Sequence, residues 1–161
     1  MDVVYRPIGI IHSPFTELAG MPIQPAGAEG VMGTAVIHPE FTPGLQDLDG
    51  FSHIILLYHL HRVEVANLTV TPFLDTQPRG VFATRAPRRP NPIGLSVVKL
   101  VRVEQNVLYL ENVDILDGTP LLDVKPYVPE FDHQSEIRTG WLAKANGQVQ
   151  NKKSDERFVD D

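Results

Sequence analysis

Four arginines lie close together in residues 79–96, which read RGVFATRAPRRPNPIGLS. Their guanidinium groups fall within eleven positions, at Arg79, Arg85, Arg88 and Arg89. A guanidinium group can form two parallel hydrogen bonds with a phosphate or a carboxylate, so this density indicates a site for an anionic partner. The alternative is a surface crossing whose arginines are only solvated, and charge alone does not separate the two interpretations.

Three prolines stiffen residues 85–92, which we call the arginine arch. Pro87, Pro90 and Pro92 each fix φ at about −65° and remove a backbone donor. The pattern predicts a non-helical arch between strands at residues 81–84 and 93–103. Such an arch is already ordered and therefore loses little entropy when it binds an anion.

A second set of polar residues lies in DILDGTP at residues 114–120. The Asp117-Gly118 pair predicts a tight turn with backbone N–H groups open to a ligand. The carboxylate of Asp114 or of Asp117 could accept a hydrogen bond from a ribose hydroxyl or lie near a positive charge. The same spacing also fits a hairpin turn in which an aspartate caps the backbone.

His59, His61 and Glu64 follow the pattern HxHxxE. Histidines two apart on a strand face the same side, and two imidazoles with a carboxylate can hold zinc or iron. However, the glutamate comes one residue too early for the usual cupin spacing. Arg62 beside the pair would also repel a divalent cation, so we expect no metal site.

Two long motifs resemble those of the TsaA-like family, also called TrmO. They are ATRxxxRPNPIGLS at residues 83–96 and DxLDGTPLLDVKPYxPEFD at residues 114–132. The resemblance begins at GIIHSPF, residues 9–15, and continues through HPEFTPGLQDLDGFSHIILLYHLHR, residues 38–62. It covers about four fifths of the chain.

The resemblance implies an S-adenosylmethionine-dependent methyltransferase that acts on N6 of threonylcarbamoyladenosine beside the tRNA anticodon. It also implies a small β-barrel and a homodimer with the cofactor near the subunit interface. The family's cofactor contacts fall on Ile23, Gln24, Pro25, His61, Arg62, Arg85, Ser96, Leu116, Asp117, Gly118 and Thr119. Bacterial relatives often carry an additional C-terminal domain, for which this chain is too short.

The implied reaction is an in-line displacement at the sulfonium methyl group. The acceptor nitrogen belongs to a urea and is weakly nucleophilic, so the enzyme must align it and help to remove its proton. Asp117 and His61 are the candidates for the catalytic base. Arg88 and Arg89 suit a tRNA phosphate or the carboxylate of the threonyl group.

Two other function classes fit the same sequence. One is a methyltransferase that acts on a small molecule with the same scaffold. The other is an adenosylmethionine-binding sensor without enzymatic activity.

The composition limits how RNA could be bound. The chain has 161 residues and a formal net charge of −6, the wrong sign for holding nucleic acid with its whole surface. Any RNA contact must be local, and the arginine arch is the candidate. The absence of cysteine leaves the redox compartment undetermined. No apolar run approaches a membrane span and no secretory signal is visible, so the cytoplasm is the expected location by default.

Fourteen prolines and twelve glycines are spread along the chain and favour many short strands over long helices. The predicted strands are residues 4–12, 31–38, 51–63, 81–84, 93–103, 107–113 and 121–127. In residues 93–103 the odd-numbered apolar side chains are predicted to share one face. Gln105-Asn106 is predicted to be a hairpin turn.

We therefore predict a mainly β fold with short helical turns, a small single-domain barrel that is closed or nearly closed because closure removes exposed strand edges. Residues 1–135 are assigned to the barrel and 136–161 to a C-terminal extension that is partly disordered. Within the extension Trp141 could anchor a short element, and residues 146–161 are predicted to be a disordered tail.

Overall fold

The computed structural model describes residues 1–23, 25–145 and 153. Its strands are β1 (Gly9–His12), β2 (Met32–Ile37), β3 (His53–His59), β4 (Thr69–Val70), β5 (Arg79–Gly80), β6 (Ile93–Glu104), β7 (Val107–Glu111) and β8 (Thr119–Pro126). Six strands form a closed antiparallel barrel in the order β1, β2, β7, β6, β3, β8, and β8 pairs with β1 to complete it. The short strands β4 and β5 form a separate ribbon. The predicted mainly β barrel is confirmed.

The helical elements within the described residues are all short. They comprise 3₁₀ turns at Pro25–Gly27, Pro39–Leu45, Leu48–Gly50, Val81–Ala83 and Gly140–Ala145, and one α-helical turn, α1, at Pro129–Asp132. Prolines begin several of these turns, and Pro43 lies inside one of them, where it removes a backbone donor. Among the described residues, no helix is long and apolar enough to cross a membrane.

The barrel interior is filled by alternate residues of each strand, as the period of two in a strand requires. On β3, for example, Ile54, Leu56 and Tyr58 point inward. The buried core consists of Ile11, Ala35, Ile37, Ile54, Leu56, Tyr58, Val98, Leu100, Leu108, Leu110, Val113, Ile115 and Leu121. Full burial of each larger aliphatic side chain contributes about 1.5–3 kcal/mol relative to leaving it in water.

The odd-numbered side chains that were predicted to share one face of β6 do not form its core face. Ser96, Val98 and Leu100 point inward, whereas Ile93 and Leu95 are 40% and 44% exposed. Antiparallel pairing with β3 sets this register, because Leu56, which is fully buried, lies opposite Ser96. A bulge between Leu100 and Arg102 then shifts the register with β7, which changes the set of β6 side chains that point inward.

The predicted strand at residues 81–84 is wrong. Val81–Ala83 forms a 3₁₀ turn, which ends where the carbonyl oxygen of Val81 accepts hydrogen bonds from the backbone N–H and the hydroxyl of Thr84, at 3.1 and 2.8 Å. Threonine often favours such local side-chain bonds over a strand ladder. The arginine arch itself, residues 85–92, is non-helical, as predicted.

Strand direction places the long connections at one end of the barrel. The strands β1, β3 and β7 all end at the end where β2, β6 and β8 begin, because neighbouring strands in the barrel are antiparallel. The connections at residues 13–31, 60–92 and 112–118 therefore meet there. The opposite end carries residues 38–52 and the predicted β6–β7 hairpin, in which Gln105 has a φ of 54°.

Candidate functional site

A cavity of about 790 Å³ lies where the three long connections meet. This volume is within the range typical of small-molecule sites. The connection after β1 contributes Met21 and Ile23, and the connection after β7 contributes Asp114 and Leu116. The long connection between β3 and β6, which includes the arginine arch, supplies most of the remaining wall.

A chain of three hydrogen-bonded side chains lies at the base of the cavity. The hydroxyl of Ser96 donates to Oδ1 of Asp114 at 2.6 Å, and the hydroxyl of Tyr58 lies 2.8 Å from the Ser96 oxygen. Ser96 has only one hydroxyl proton, which goes to Asp114, so Tyr58 must be the donor to Ser96. All three residues are buried, with 7% of the surface of Tyr58, 1% of that of Ser96 and 9% of that of Asp114 exposed.

Gly94 makes room for this chain. It pairs directly with Tyr58 across β3 and β6, and the Tyr58 ring lies against the glycine backbone. A Cβ atom built on Gly94 would overlap carbon atoms of that ring. The glycine of the PIGLS motif is therefore required for close approach of an aromatic ring and not for an unusual backbone angle.

Burial changes the acid–base properties of the network. Desolvation raises the pKa of Asp114 to about 6, although the hydrogen bond from Ser96 and the charge of Arg85 act in the opposite direction. Desolvation, together with the negative charge of Asp114, also raises the pKa of Tyr58 above its usual value. Near pH 7 the tyrosine is neutral and the aspartate is mostly ionised.

The charges around the cavity are predominantly positive. Arg62, Arg85 and Arg89 line it, whereas Asp114 is the only carboxylate among its described lining residues. His61 also lines the cavity, and desolvation together with the nearby positive charge of Arg62 lowers its pKa. His61 is therefore mainly a neutral imidazole at pH 7.

Arg89 braces the arginine arch from within. Its Nη1 donates to the carbonyl oxygens of Val81, Thr84 and Ala86 at 3.1, 2.8 and 3.3 Å. Its guanidinium carbon also lies 5.9 Å from the centre of the Phe82 ring. The prolines thus stiffen the arch, and Arg89 ties it to the preceding residues 81–84 by binding carbonyl groups in both segments.

Trp141 anchors the C-terminal segment to the cavity, as the sequence suggested. Its Nε1 donates to the carbonyl oxygen of Ala83 at 2.8 Å, and the guanidinium of Arg79 lies 5.7 Å from its ring centre. Arg79 is in turn fixed by Asp75 through an ion pair of 2.6 Å. Trp141 and Leu142 therefore form part of the cavity wall. The predicted disordered tail, residues 146–161, lies outside the described residues except for Lys153.

The Asp117-Gly118 pair forms the predicted turn, in which Gly118 has a φ of +81° that favours glycine. Oδ1 of Asp117 lies 3.1 Å from the backbone N–H of Ser13 and 3.1 Å from Nδ1 of His12. The bond from Ser13 is the main cause that lowers the pKa of Asp117. This carboxylate ties the turn to the end of β1, and Asp117 is not among the residues that line the cavity.

The structure brings together many of the residues carried over from the resemblance. The residues that line the cavity are Ile23, His61, Arg62, Arg85, Leu116 and Thr119. Ser96 is not among the lining residues but is hydrogen-bonded to Tyr58, which is, and Gly118 lies in the turn between Leu116 and Thr119. Pro25 begins a 3₁₀ turn, Arg88 is half-buried on the arch, and Gln24 lies outside the described residues.

Four aromatic residues of the site were not expected from the sequence: Tyr58, Phe73, Phe82 and, as part of the cavity wall, Trp141. In the sequence, Tyr58 is indistinguishable from the apolar residues of a central strand. Its position over Gly94 follows only from the pairing register of β3 and β6. Within the described part of the chain, no group of three histidine, aspartate or glutamate side chains is arranged to hold a metal ion.

The protein is a closed barrel with a cavity at one end, which has hydrogen-bonded polar side chains at its base and arginines on its wall. These features define a β-barrel protein that binds a small ligand. The chain belongs to the TrmO family, because residues 10–133 match the family model described as the tRNA-methyltransferase O N-terminal domain. The sequence resemblance to this family is thereby confirmed.

Similar proteins carry two kinds of description. A probable S-adenosyl-L-methionine-binding protein of Pyrococcus abyssi is 54% identical over 156 residues, which cover 97% of this chain and 85% of the relative. The mouse tRNA (adenine(37)-N6)-methyltransferase is 37% identical over 145 residues, covering 84% of this chain but 33% of the mouse enzyme. The crystal structure of TrmO from Pseudomonas aeruginosa matches with a TM-score of 0.74 and 40% identity, over 88% of this chain and 63% of that one.

Gly94→Ala tests the packing at the base of the cavity. The added methyl group must displace the Tyr58 ring, so we expect the free energy of unfolding to fall by about 1–3 kcal/mol. Thermal or urea unfolding, followed by circular dichroism, measures the change.

Gly80→Ala is the matched control. Gly80 has an ordinary extended backbone, with φ −60° and ψ 135°, and nothing lies within 4 Å of an added Cβ. This control should change stability by less than about 0.5 kcal/mol. Equal stability of the two variants would contradict the close contact between Tyr58 and Gly94.

Proposed function

We propose that the protein is an S-adenosylmethionine-dependent methyltransferase that acts on N6 of threonylcarbamoyladenosine in tRNA. One observation supports the proposal most strongly. The family resemblance assigns cofactor contacts to residues in four separate segments of the chain, and these residues line one cavity. Ile23, Arg62, Arg85 and Leu116 represent these segments. Membership of the TrmO family supplies the reaction class, and the name of the mouse relative supports the tRNA adenine as target.

The cavity fits the chemical groups of this cofactor. S-adenosylmethionine presents a flat adenine ring, a ribose diol and an amino acid group with a carboxylate. Phe73, Phe82 and Trp141 give the cavity aromatic surface suitable for an adenine ring. Arg85, exposed on the arch, and Arg62 can bind the carboxylate in a bidentate manner.

The turn at Leu116, Asp117, Gly118 and Thr119 also supports the cofactor in this proposal. Leu116 and Thr119 line the cavity, and the carboxylate of Asp117 fixes the turn by binding Ser13 and His12. His61, as a neutral imidazole on the cavity wall, is a hydrogen-bonding group for the ribose or the acceptor base. When bound, the cofactor supplies the transferable methyl group on its sulfonium.

Binding of S-adenosylmethionine without methyl transfer is a second candidate function. The Pyrococcus abyssi relative, which matches nearly the whole chain, is described as a probable S-adenosyl-L-methionine-binding protein. The chain also spans less than two thirds of the crystallised TrmO and one third of the mouse enzyme. A methyl-transfer assay separates the two candidates.

The homodimer and the cytoplasmic location belong to the same proposal. Phe82, Ile93 and Leu95 line the cavity and are 74%, 40% and 44% exposed, so they offer apolar surface to a second subunit beside the cofactor. Light scattering gives the molar mass that tests the dimer. A tRNA substrate is consistent with the cytoplasm, which stays a prediction.

Transfer of tritium from methyl-labelled S-adenosylmethionine to tRNA tests the proposed function directly. We expect label in tRNA that carries threonylcarbamoyladenosine, and mass spectrometry of its nucleosides should place one added methyl group on that base. Matched tRNA that lacks the threonylcarbamoyl group should stay unlabelled. Cofactor binding measured by calorimetry, combined with no label in either tRNA, would instead support the binding function.

We expect Arg85 of the arch to bind the cofactor and Arg88 to bind tRNA. Arg85→Ala should weaken cofactor binding about 10- to 100-fold, because a hydrogen bond to a charged group contributes about 1.5–3 kcal/mol. Arg88→Ala should weaken tRNA binding and reduce the slope of log affinity against log salt by roughly 0.7–0.9 for each phosphate that the variant no longer neutralises. Calorimetry and filter binding at several salt concentrations measure these effects.

Arg89→Ala is the structural comparison among these variants. Since Arg89 binds the carbonyl groups of Val81 and Thr84 before the arch and of Ala86 within it, its removal should lower the melting temperature as well as tRNA affinity. An Arg88 variant with unchanged tRNA affinity and salt slope would exclude Arg88 as a phosphate ligand. An Arg85 variant with wild-type cofactor affinity would likewise exclude that guanidinium from the cofactor site.

A further inference from the structure

We propose that Asp114 accepts the proton of the acceptor nitrogen during methyl transfer, and that Ser96 and Tyr58 position its carboxylate. The inference rests on the proposed function. It assigns the base to a residue other than the two that the sequence indicated, Asp117 and His61.

Geometry disfavours Asp117 as the base. Its carboxylate lies outside the cavity lining and is occupied by the backbone N–H of Ser13 and the ring of His12. These bonds stabilise the ionised form and lower the pKa of Asp117, which makes it a weaker proton acceptor. A group that is bonded elsewhere and lies outside the cavity is poorly placed to take a proton from a ligand within it.

His61 lines the cavity but lies in an unfavourable electrostatic environment for accepting a proton. Desolvation, Arg62 and His59 all lower its pKa, since each disfavours the positive imidazolium form. Proton transfer to His61 would add a second positive charge beside Arg62. Transfer to an ionised carboxylate instead removes a charge from a desolvated position.

Asp114 has the features that a base in this cavity requires. It is the only carboxylate among the described residues that line the cavity, and it is 9% exposed. The hydrogen bond of 2.6 Å from Ser96 fixes the direction of the carboxylate, and the hydroxyl of Tyr58 fixes that of Ser96. Such an arrangement of base and orienting partner is typical of catalytic proton acceptors.

The proton transfer balances the reaction. The acceptor nitrogen forms a bond to the methyl carbon as the bond between sulfur and that carbon breaks, and the electron pair of the broken bond stays on sulfur. The sulfonium becomes the neutral thioether of S-adenosylhomocysteine. The hydrogen of the nitrogen passes to the Asp114 carboxylate and then to solvent, so that the methylated nitrogen is neutral.

The acid–base state of Asp114 suits this role at neutral pH. A carboxyl group with a pKa of about 6 is mostly ionised at pH 7, yet it is a stronger base than an exposed aspartate. The side chains that lower its pKa are Ser96 from β6 and Arg85 from the arch, and the hydroxyl of Tyr58 from β3 is bonded to that of Ser96. His61, Arg62 and Arg89 are the other charged or titratable groups on the described cavity wall.

The test is the pH dependence of methyl transfer to tRNA at saturating cofactor, for the wild type and for Asp114→Asn and Ser96→Ala. The wild-type rate should rise with pH through an acid limb centred near the pKa of Asp114, about 6. Asp114→Asn should lose this limb and lower kcat by roughly 10²- to 10⁴-fold, the typical contribution of a general base. Calorimetry with S-adenosylhomocysteine checks that the variants still bind ligand.

Ser96→Ala gives a second readout that a merely structural role would not produce. The hydrogen bond from Ser96 lowers the pKa of Asp114, so its removal should raise that pKa and move the acid limb to higher pH. Tyr58→Phe keeps the ring over Gly94 and removes only the hydroxyl, so it should give a smaller shift of the limb. The Ser96 result decides the proposal even where Asp114→Asn fails to fold.

Several outcomes would overturn the inference. If Asp114→Asn keeps its rate and its acid limb at saturating cofactor, the base is another group. If this variant only raises the Kd of the cofactor, and saturation restores kcat, Asp114 binds the cofactor and accepts no proton. If the wild type itself transfers no methyl group to tRNA, the proposed function has failed, whereas failure confined to the variants rejects only the role of Asp114.

Discussion

The site depends on a buried carboxylate that is held by hydrogen bonds. An isolated ionised aspartate inside a barrel would be strongly unfavourable, because burial removes it from water. Here Ser96 donates to Asp114, Tyr58 donates to Ser96, and the positive charge of Arg85 adds a favourable interaction. The floor of the cavity is thus a hydrogen-bonded series of three side chains, in which Tyr58 orients Ser96 and Ser96 stabilises the Asp114 carboxylate.

This hydrogen-bonded network requires a particular strand register and a glycine at one position of the barrel. Tyr58 can reach Ser96 only if β3 and β6 pair in the observed register, and its ring fits only because residue 94 is glycine. The arch is fixed by Arg89 and by the small cluster of Val70, Val81, Ala86 and Phe73. A pre-ordered wall of this kind reduces the entropy lost when a ligand binds. The same part of the chain therefore shapes the cavity and supplies its positive charge.

Much of this architecture could be predicted from the sequence. Proline and glycine spacing predicted short strands, and the arch prolines predicted a non-helical segment, because these effects are local. The orientation of β6 could not be read in the same way. Its apolar residues occupy both faces, and its inward face carries Gly94 and Ser96, which are not hydrophobic. Only pairing with β3, which is a long-range contact, selects that face.

The residues of the site show the same division between local and long-range information. The Asp117-Gly118 turn was predicted because an Asp-Gly pair specifies a turn locally, but the direction of the Asp117 carboxylate depends on Ser13, more than a hundred positions away. Asp114 and Asp117 cannot be separated by spacing, whereas burial separates them clearly. Trp141 was visible as an anchor, yet its contact with Ala83 required the folded structure.

The most direct test of this account is a crystal structure of the protein with S-adenosylhomocysteine. We expect the adenine, ribose and amino acid groups all to lie within the cavity between the arch, the Leu116–Thr119 turn and Trp141, with the thioether sulfur facing Asp114. Density for the ligand on the exposed side of Asp117, or anywhere outside this cavity, would contradict it.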